Sequence, residues 1–175
     1  MDIAIIPECY IDTNLIETIA PPQGKGYNHQ KGCGTVTNVM KEQFSDAFAV
    51  GIIDKDKKQV DYLKEFTEVI NDGALILHRH KTKHHYIIQI SPAVEEFIVD
   101  SANQAGVSLA DYSLPENLDH LKKESKQQNS KKDHRFRSLF KAIKNGGASN
   151  FLKLAHWVTY LRDNNYSVDL KQLQE

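Results

Sequence analysis

The stretch Ala47-Phe48-Ala49-Val50-Gly51-Ile52-Ile53-Asp54-Lys55-Asp56 decides the fold class of this chain. Its unbroken run of small and apolar residues predicts a buried strand, as in the parallel sheets of α/β proteins. The strand ends in two carboxylates, Asp54 and Asp56, which point to the same side of an extended backbone because they are two residues apart. In an open α/β sheet, parallel strands deliver their last residues to one edge, where ligands bind. The stretch therefore predicts an α/β sheet with an acidic site at that edge.

A second apolar run, from Asp2 to Ile6, repeats this arrangement near the N-terminus. It predicts a short buried strand that Glu8-Cys9-Tyr10-Ile11-Asp12 follows directly. If Glu8 ends the strand and Asp12 lies in the first turn of the next helix, both carboxylates can face the edge that holds Asp54 and Asp56. Acids gathered in this way repel one another unless a divalent cation neutralises them. The sequence therefore predicts a Mg²⁺ or Mn²⁺ site, and with it phosphate chemistry.

The remaining segments complete an alternating pattern of strands and helices. Apolar residues at helical spacing predict helices over residues 10–20, 35–44 and 57–70 and after Pro92 as far as Gly106, whereas residues 74–80 and 84–91 predict a hairpin or two further strands, and residues 27–29 could add a short one. This order predicts right-handed crossovers and a mostly parallel sheet flanked by helices.

The C-terminal part has a different pattern. Residues 1–104 are predicted to form the α/β domain, and residues 105–175 a helical extension packed on it. Residues 122–134 are almost free of apolar side chains and predict either a solvated helix or a mobile linker. Amphipathic helices are predicted over residues 136–143 and 151–161.

Composition permits these predictions without requiring them. The chain has 175 residues, 40% of them hydrophobic and 26% charged, which is typical of one globular domain, with or without an appendage. Its two cysteines form no CxxC motif, and neither a signal peptide nor a membrane-spanning apolar run is evident, so we expect a cytoplasmic protein and no membrane contact. Residues 1–72 are acidic and residues 73–175 are basic, which suits a metal site beside a phosphate-binding surface or, equally, ordinary solvated helix faces.

The two acidic motifs resemble those of the Toprim domain, which is shared by topoisomerases, bacterial primases, OLD-family nucleases and small stand-alone bacterial proteins. Ile5-Ile6-Pro7-Glu8-Cys9-Tyr10-Ile11-Asp12 is similar to the first motif, a Glu after a hydrophobic strand with an Asp four residues beyond. Gly51-Ile52-Ile53-Asp54-Lys55-Asp56-Lys57 is similar to the second, an Asp-x-Asp after a strand. The resemblance covers about residues 1–100. Cys9 departs from it, since the family commonly has glycine there, and a further family glycine corresponds to Gly32 or Gly34.

The resemblance implies Mg²⁺-dependent phosphodiester hydrolysis on nucleic acid, in a phage-defence or mobile-element system with an ATPase or another protein as partner. Glu8 would act as general acid or base, or as a ligand. Asp54 and Asp56 would hold the metal, and Asp12 would support them. One alternative is a non-catalytic binding or regulatory module that acts with a partner protein, and another is phosphoryl transfer on a small nucleotide.

Two further sets of side chains each have two interpretations, one of which involves the site. Glu95 and Glu96 are candidates for an additional metal ligand, although a solvated first helical turn, favoured by the helix dipole, is the interpretation we prefer. Four histidines, His78, His80, His84 and His85, could bind zinc or nickel. Their spacing favours instead a polar, basic hairpin tip near the carboxylate edge, where a histidine, Lys81 or Lys83 contacts a phosphate.

Residues 122–144 are the most basic segment, with nine Lys or Arg against two acids, and with Phe136 and Phe140 among them. Such a segment can bind nucleic acid through phosphate contacts, and the candidates are Lys131, Lys132, Arg135 and Arg137. The alternative, which we favour, is a helix that buries the two phenylalanines and exposes its basic residues to solvent.

Overall fold

The computed structural model describes residues 2–55 and 60–174, which form five strands and six α-helices. The strands are β1 (Ile5–Pro7), β2 (Ala49–Asp54), β3 (Phe66–Asn71), β4 (Leu75–His80) and β5 (His85–Ile90). The helices are α1 (Tyr10–Ile19), α2 (Cys33–Gln43), α3 (Val94–Ala105), α4 (Leu118–Ser125), α5 (His134–Asn145) and α6 (Ser149–Asn164). Short 3₁₀ helices cover Asp2–Ala4, Asp61–Glu65, Ala110–Tyr112, Gln128–Lys132, Asn165–Ser167 and Leu170–Leu173.

The strands form one mixed sheet in the order β1-β2-β5-β4-β3. β1, β2 and β5 are parallel, whereas β5, β4 and β3 are joined as antiparallel neighbours. The α/β class is confirmed, but the mostly parallel character holds only for the half of the sheet that contains β1 and β2. The reason is that residues 74–91 form a hairpin, whose first strand must run against its second.

Helices cover both faces of the sheet, so the side chains of β2 are buried whichever way they point. One face packs against α2, with Val36, Met40 and Ala49 in a small apolar cluster. A Cβ added at Gly51 would lie 2.9 Å from Met40 Sδ and 3.0 Å from Val36 Cγ1. The absence of a side chain at Gly51 therefore lets α2 approach the centre of the sheet.

The opposite face carries the main core, to which both halves of the chain contribute. Val50 and Ile52 of β2 belong to the same buried cluster as Phe140 of α5 and Trp157 of α6. The ring of Phe140 lies 6.0 Å from that of Phe151. The helical extension after residue 104 thus shares its core with the sheet.

Three predicted segments differ from the structure. The helix predicted over residues 57–70 is wrong: residues 57–59 lie outside the described ranges, Asp61–Glu65 is a 3₁₀ helix, and Phe66–Asn71 is strand β3. Pairing with β4, including Phe66 opposite His80, decides this segment, because its apolar spacing fits a helix and an irregular edge strand equally well. The short strand considered for residues 27–29 does not form: His29 N–H donates to Tyr27 O at 3.0 Å within the segment, although Asn28 N–H donates to Ile5 O at 3.0 Å.

The third segment, residues 122–134, is docked rather than free. Asn14 Nδ2 of α1 donates to Ser130 O at 2.7 Å and to Asp133 O at 3.1 Å. Leu121 and Ser125 are fully buried. Of the two alternatives, the mobile linker is therefore wrong, because a few buried groups fix the segment to α1 even though its composition is polar.

Candidate functional site

The parallel pairing of β1 and β2 brings Glu8 and Asp54 together. Pro7 of β1 lies opposite Ile52 of β2, and Glu8 N–H donates to Ile52 O at 3.0 Å. The Glu8 side chain then reaches across to the end of β2, where its Oε2 accepts a hydrogen bond from Asp54 N–H at 3.0 Å. Glu8 is 4% exposed. The two strand-end acids predicted from sequence therefore lie side by side at one edge of the sheet.

Asp12 joins this group from the first turn of α1. Its Oδ2 accepts a hydrogen bond from Cys9 N–H at 3.1 Å, as an acid in the third position of a helix often does for the residue that begins the helix. The side chain is 1% exposed, and its other oxygen, Oδ1, has no hydrogen-bond partner in the part of the chain that the structure describes. The pKa of Asp12 is raised to about 7: burial is the largest cause and the charges of Glu8 and Glu95 act in the same direction, while hydrogen bonds from Cys9 act against them.

Glu95 is the acid whose position the sequence interpretation missed. The first turn of α3 is not solvated at this residue: Glu95 is 5% exposed and its Oε1 accepts from Ser125 Oγ at 2.5 Å. The preferred interpretation of this turn is therefore wrong for Glu95, because α4 covers it. Its neighbour Glu96 pairs with Lys122 at 2.6 Å. No local signal in the sequence distinguishes the two residues.

Asp54, at the end of β2, connects the sheet to the start of α3. Its Oδ1 accepts a hydrogen bond from Val94 N–H at 3.0 Å, and Val94 is the residue before Glu95. The carboxylates of Glu8, Asp12, Asp54 and Glu95 thus form one group, which we call the acidic cluster. Asp56, which was predicted as a metal ligand with Asp12 and Asp54, lies outside the described residues.

The acidic cluster has the chemistry of a hard-cation site but not a completed coordination shell. Its donors are carboxylate oxygens, which Mg²⁺ and Mn²⁺ prefer. Within residues 2–55 and 60–174, however, no group of three or more His, Cys, Asp or Glu side chains is arranged to hold a metal ion. Glu8 Oε2 and Asp54 Oδ1 each accept a hydrogen bond from a backbone N–H group, so one oxygen of each carboxylate is already engaged in the fold. The feature that would suit a cation is Asp12 Oδ1, which is buried and has no hydrogen-bond partner among the described residues.

Cys9, beside these acids, is unsuited to act as a nucleophile. Burial raises the pKa of its thiol well above the usual range, and the charges of Asp12 and Asp54 raise it further. A cysteine nucleophile reacts as the thiolate, which this environment disfavours. Gly32 also lies here: its N–H donates to Glu8 O at 3.1 Å, and its φ of 89° suits glycine, so it is Gly32, not Gly34, that contacts the acidic residue.

The histidines lie away from the acidic cluster. Because β5 runs parallel to β2, with His85 opposite Ala49 and Ile90 opposite Asp54, the turn before β5 lies at the other end of the sheet. The prediction of a basic hairpin tip near the carboxylate edge is therefore wrong. His80 Nε2 bonds to Glu65 and His78 Nε2 bonds to Gln89, so these side chains serve packing and pairing within the sheet. The zinc or nickel alternative gains no support, since the described residues contain no such metal-binding group.

One of these histidines makes the fold sensitive to acid. His85 is fully buried, and its Nδ1 forms a hydrogen bond with Tyr62 Oη at 2.7 Å. Its pKa is lowered to about 4, mainly by burial and to a smaller extent by the charges of His80 and Lys83. Unfolded histidine titrates near about 6.5, so the unfolded state takes up the proton first as the pH falls. Protonation of Asp12, whose pKa is raised, stabilises the fold over the same pH range, so the contribution of His85 is measured as a difference between variants. Relative to His85→Phe, the free energy of unfolding of wild type, measured with urea, should fall by about 2 kcal/mol between pH 7 and pH 5. The exposed control His84→Gln should behave like wild type, and the same pH dependence in all three proteins would contradict the assignment.

The four predicted nucleic-acid contacts have different environments. Arg135 is engaged within the protein, since its Nη2 pairs with Asp133 at 2.7 Å and Glu124 at 2.9 Å. Arg137 is exposed on α5. Lys131 and Lys132 line a pocket of ≈ 470 Å³ next to the start of α1. Only these two of the four therefore lie near the acidic cluster in a shape that could hold a ligand.

Comparison of the chain with known protein families, with curated proteins and with solved structures gives no match. Among the described residues, no helix is both long and apolar enough to cross a membrane. Any functional conclusion therefore rests on the side chains themselves.

Proposed function

We propose that this protein is a Toprim-like, Mg²⁺- or Mn²⁺-dependent phosphodiesterase that acts on nucleic acid. The observation that carries the proposal is the acidic cluster at the ends of β1 and β2, in which Asp12 is buried and one of its oxygens has no partner in the described part of the chain. A buried carboxyl group whose pKa is raised by burial and by neighbouring acids, as that of Asp12 is, is a costly arrangement unless a cation or a functional need compensates for it. The resemblance of residues 5–12 and 51–57 to the two Toprim motifs belongs to the same proposal.

The acidic residues would have different roles in this reaction. Asp54 and Asp56 would hold the cation, with Asp12 and Glu95 as supporting acids. A bound divalent cation neutralises charge on the phosphoryl oxygens and lowers the pKa of bound water. Glu8 would act as the general acid or base of the reaction, because it lies at the end of its strand and connects to Asp54 through one hydrogen bond. The sequence resemblance also places such an enzyme in phage-defence or mobile-element systems.

A second candidate function follows from the hydrogen bonds that already occupy the acids. Backbone N–H groups satisfy one oxygen each of Glu8 and Asp54, which stabilises the fold without a metal. This favours a non-catalytic Toprim-like module in which the acidic edge contacts a partner protein. The two functions make different predictions about metal and cleavage.

Thermal unfolding of the wild-type protein and of Asp12→Asn tests the metal site. An asparagine keeps the acceptor for Cys9 N–H but removes a buried negative charge, so at pH 8 with EDTA the variant should melt above wild type. Excess Mn²⁺ at about 100 times its Kd should stabilise wild type by about 2.7 kcal/mol and the variant by less. Glu42→Gln, which changes an exposed acid on α2, is the matched control.

Cleavage of end-labelled single- and double-stranded DNA and RNA, with Mn²⁺ or with EDTA, then separates the two functions. Mn²⁺-dependent cleavage supports the phosphodiesterase. Stabilisation by Mn²⁺ without cleavage of any substrate supports the non-catalytic module. If Mn²⁺ changes neither the melting temperature nor the substrates, the acidic cluster is not a metal site.

A further inference from the structure

A basic pocket adjoins the acidic cluster on the side of α1. It has a volume of ≈ 470 Å³ and is lined by Tyr10, His29, Lys31, Gln128, Asn129, Lys131 and Lys132. Its wall shares the first turn of α1 with the cluster: Tyr10 follows Glu8 by two residues, and Thr13 Oγ1 bonds both to Cys9 O, at 2.7 Å, and to His29 Nδ1, at 2.9 Å. A ligand in the pocket would therefore lie next to the acids.

The pocket gathers positive charge from parts of the chain that are distant in sequence. Lys31 comes from the loop before α2, and Lys131 and Lys132 from the 3₁₀ helix after α4. Within the described ranges none of these three lysines forms an ion pair. Burial is the main cause that lowers the pKa of His29, and the charges of Lys131 and Lys31 lower it as well. Both lysines therefore lie close to the His29 ring. Three converging and unneutralised ammonium groups favour an anion such as a phosphate.

His29 adds a second polar requirement. Because Thr13 Oγ1 donates its only hydrogen to Cys9 O, it accepts from His29 Nδ1–H, which leaves Nε2 of the neutral ring as an acceptor. That atom is buried and has no partner in the described chain. A ligand that satisfies the pocket must therefore carry a hydrogen-bond donor, such as a sugar hydroxyl or a base amine, in addition to its negative charge.

The aromatic side of the pocket suits a nucleobase. The Tyr10 ring stacks on His29, with 4.6 Å between centroids and 23° between planes, and Lys31 Nζ lies over the Tyr10 ring, 5.4 Å from its centroid. A base that stacks on Tyr10 would therefore take the place of Lys31, whose ammonium group would turn to the phosphate. Aromatic side chains beside lysines are the usual platform for unpaired bases. The volume of the pocket is in the range of small-molecule sites, so it can accept a nucleotide but not a duplex.

We propose that this pocket binds one unpaired nucleotide of a single-stranded nucleic acid, with a phosphate between Lys31, Lys131 and Lys132 and the base against Tyr10. The proposal rests on the proposed function, because it places the neighbouring phosphodiester of the strand at the acidic cluster. It makes single strands, or single-stranded ends, the substrate. It also explains why the positive charge is concentrated beside the carboxylates that would otherwise repel a nucleic acid.

Binding without metal tests the pocket separately from catalysis. A fluorescein-labelled, 5′-phosphorylated octathymidylate is titrated with protein in EDTA, and affinity is measured by anisotropy at several salt concentrations. Lys31→Gln and Lys132→Gln should each weaken binding about tenfold, since each removes a charge-assisted contact. Each should also reduce the salt slope by about 0.7, as expected per lost contact on a single strand. Lys126→Gln is the control, because Lys126 is exposed in the same segment but does not line the pocket.

Tyr10→Leu distinguishes a nucleotide from a simple anion. It should weaken octathymidylate binding about tenfold while leaving competition by inorganic pyrophosphate unchanged, because only the base contacts the ring. The proposed pocket would be wrong if Lys126→Gln and Lys132→Gln lost the same affinity for octathymidylate. It would also be wrong if a blunt duplex competed as strongly as the single strand. Melting curves show whether each variant is folded.

The two proposals can fail independently. Pocket-dependent binding by a protein that cleaves nothing supports the pocket and overturns the phosphodiesterase. Mn²⁺-dependent cleavage at the wild-type rate and KM in both lysine variants overturns the pocket and leaves the phosphodiesterase intact.

Discussion

Asp54→Asn is expected to lower Mn²⁺- or Mg²⁺-dependent cleavage by about a thousandfold, because a divalent cation contributes several kcal/mol to the stabilisation of a phosphoryl transition state. The substitution removes an anionic ligand and almost preserves shape. The asparagine carbonyl oxygen can still accept the hydrogen bond that Asp54 Oδ1 receives from Val94 N–H at 3.0 Å. The effect should therefore appear in activity and not in folding.

A melting curve and a control variant show whether the loss of cleavage in Asp54→Asn comes from the metal site. In EDTA its melting temperature should equal or exceed that of wild type, because repulsion within the acidic cluster falls. Asp46→Asn, an exposed acid before the other end of β2, should leave both cleavage and metal stabilisation unchanged. Cleavage at the wild-type rate in Asp54→Asn would remove Asp54 from the catalytic site.

Phe140→Ala is expected to lower the free energy of unfolding by about 3–5 kcal/mol, the usual cost of deleting a fully buried phenylalanine ring. Phe140 is 0% exposed, and its ring packs with Phe136 and Phe151 in the core cluster that also includes Val50 of β2. Because the core is continuous, the loss should destabilise the sheet as well as the helices of the extension.

Hydrogen exchange of the amides of β2, under conditions where they exchange through global unfolding, is the readout that tests this continuity. Their protection should fall by the same free energy as the urea transition of the whole protein. Phe140→Leu, which leaves a smaller cavity, should produce a smaller loss on both measures. Unchanged protection of β2 in Phe140→Ala would mean that residues 105–174 unfold as a separate unit.

The acidic cluster was partly predictable because its first members depend on local patterns. A buried apolar run followed by an acid locates Glu8 and Asp54 at strand ends, and parallel pairing brings them together without further information. Asp12, four residues after Glu8, follows from its place in the first turn of the helix that begins at Tyr10. Glu95 could not be assigned in this way, because its burial depends on α4, which lies about one-sixth of the chain later.

The errors in the sheet have a similar origin. Val60, Leu63, Phe66 and Ile70 fit a helical period, but Phe66–Asn71 obtains its hydrogen bonds from β4 and becomes an edge strand with an irregular register. The position of the hairpin tip depends on the direction of β5, and a run of apolar residues does not reveal direction. Tertiary pairing decided both cases, and neither signal is local.

The basic pocket shows the same limit for function. Lys131 and Lys132 stood out because they belong to a run of positive charge, but so did Arg135, which the fold uses in ion pairs with Glu124 and Asp133. Lys31, which lies in a short glycine-rich loop, had no signal of its own. What distinguishes Lys31, Lys131 and Lys132 is their convergence beside Tyr10 and His29, and this required the fold.

Anomalous scattering from a crystal soaked in Mn²⁺ tests the central claim most directly. We expect an anomalous peak at the ends of β1 and β2, within about 2.0–2.4 Å of carboxylate oxygens from at least two of Glu8, Asp54 and Asp56. The same crystal of Asp54→Asn should show a weaker peak or none. A crystal soaked well above the Mn²⁺ concentration used in the melting curves that shows no peak at this edge, or a peak only elsewhere, would contradict the assignment of the acidic cluster as a metal site.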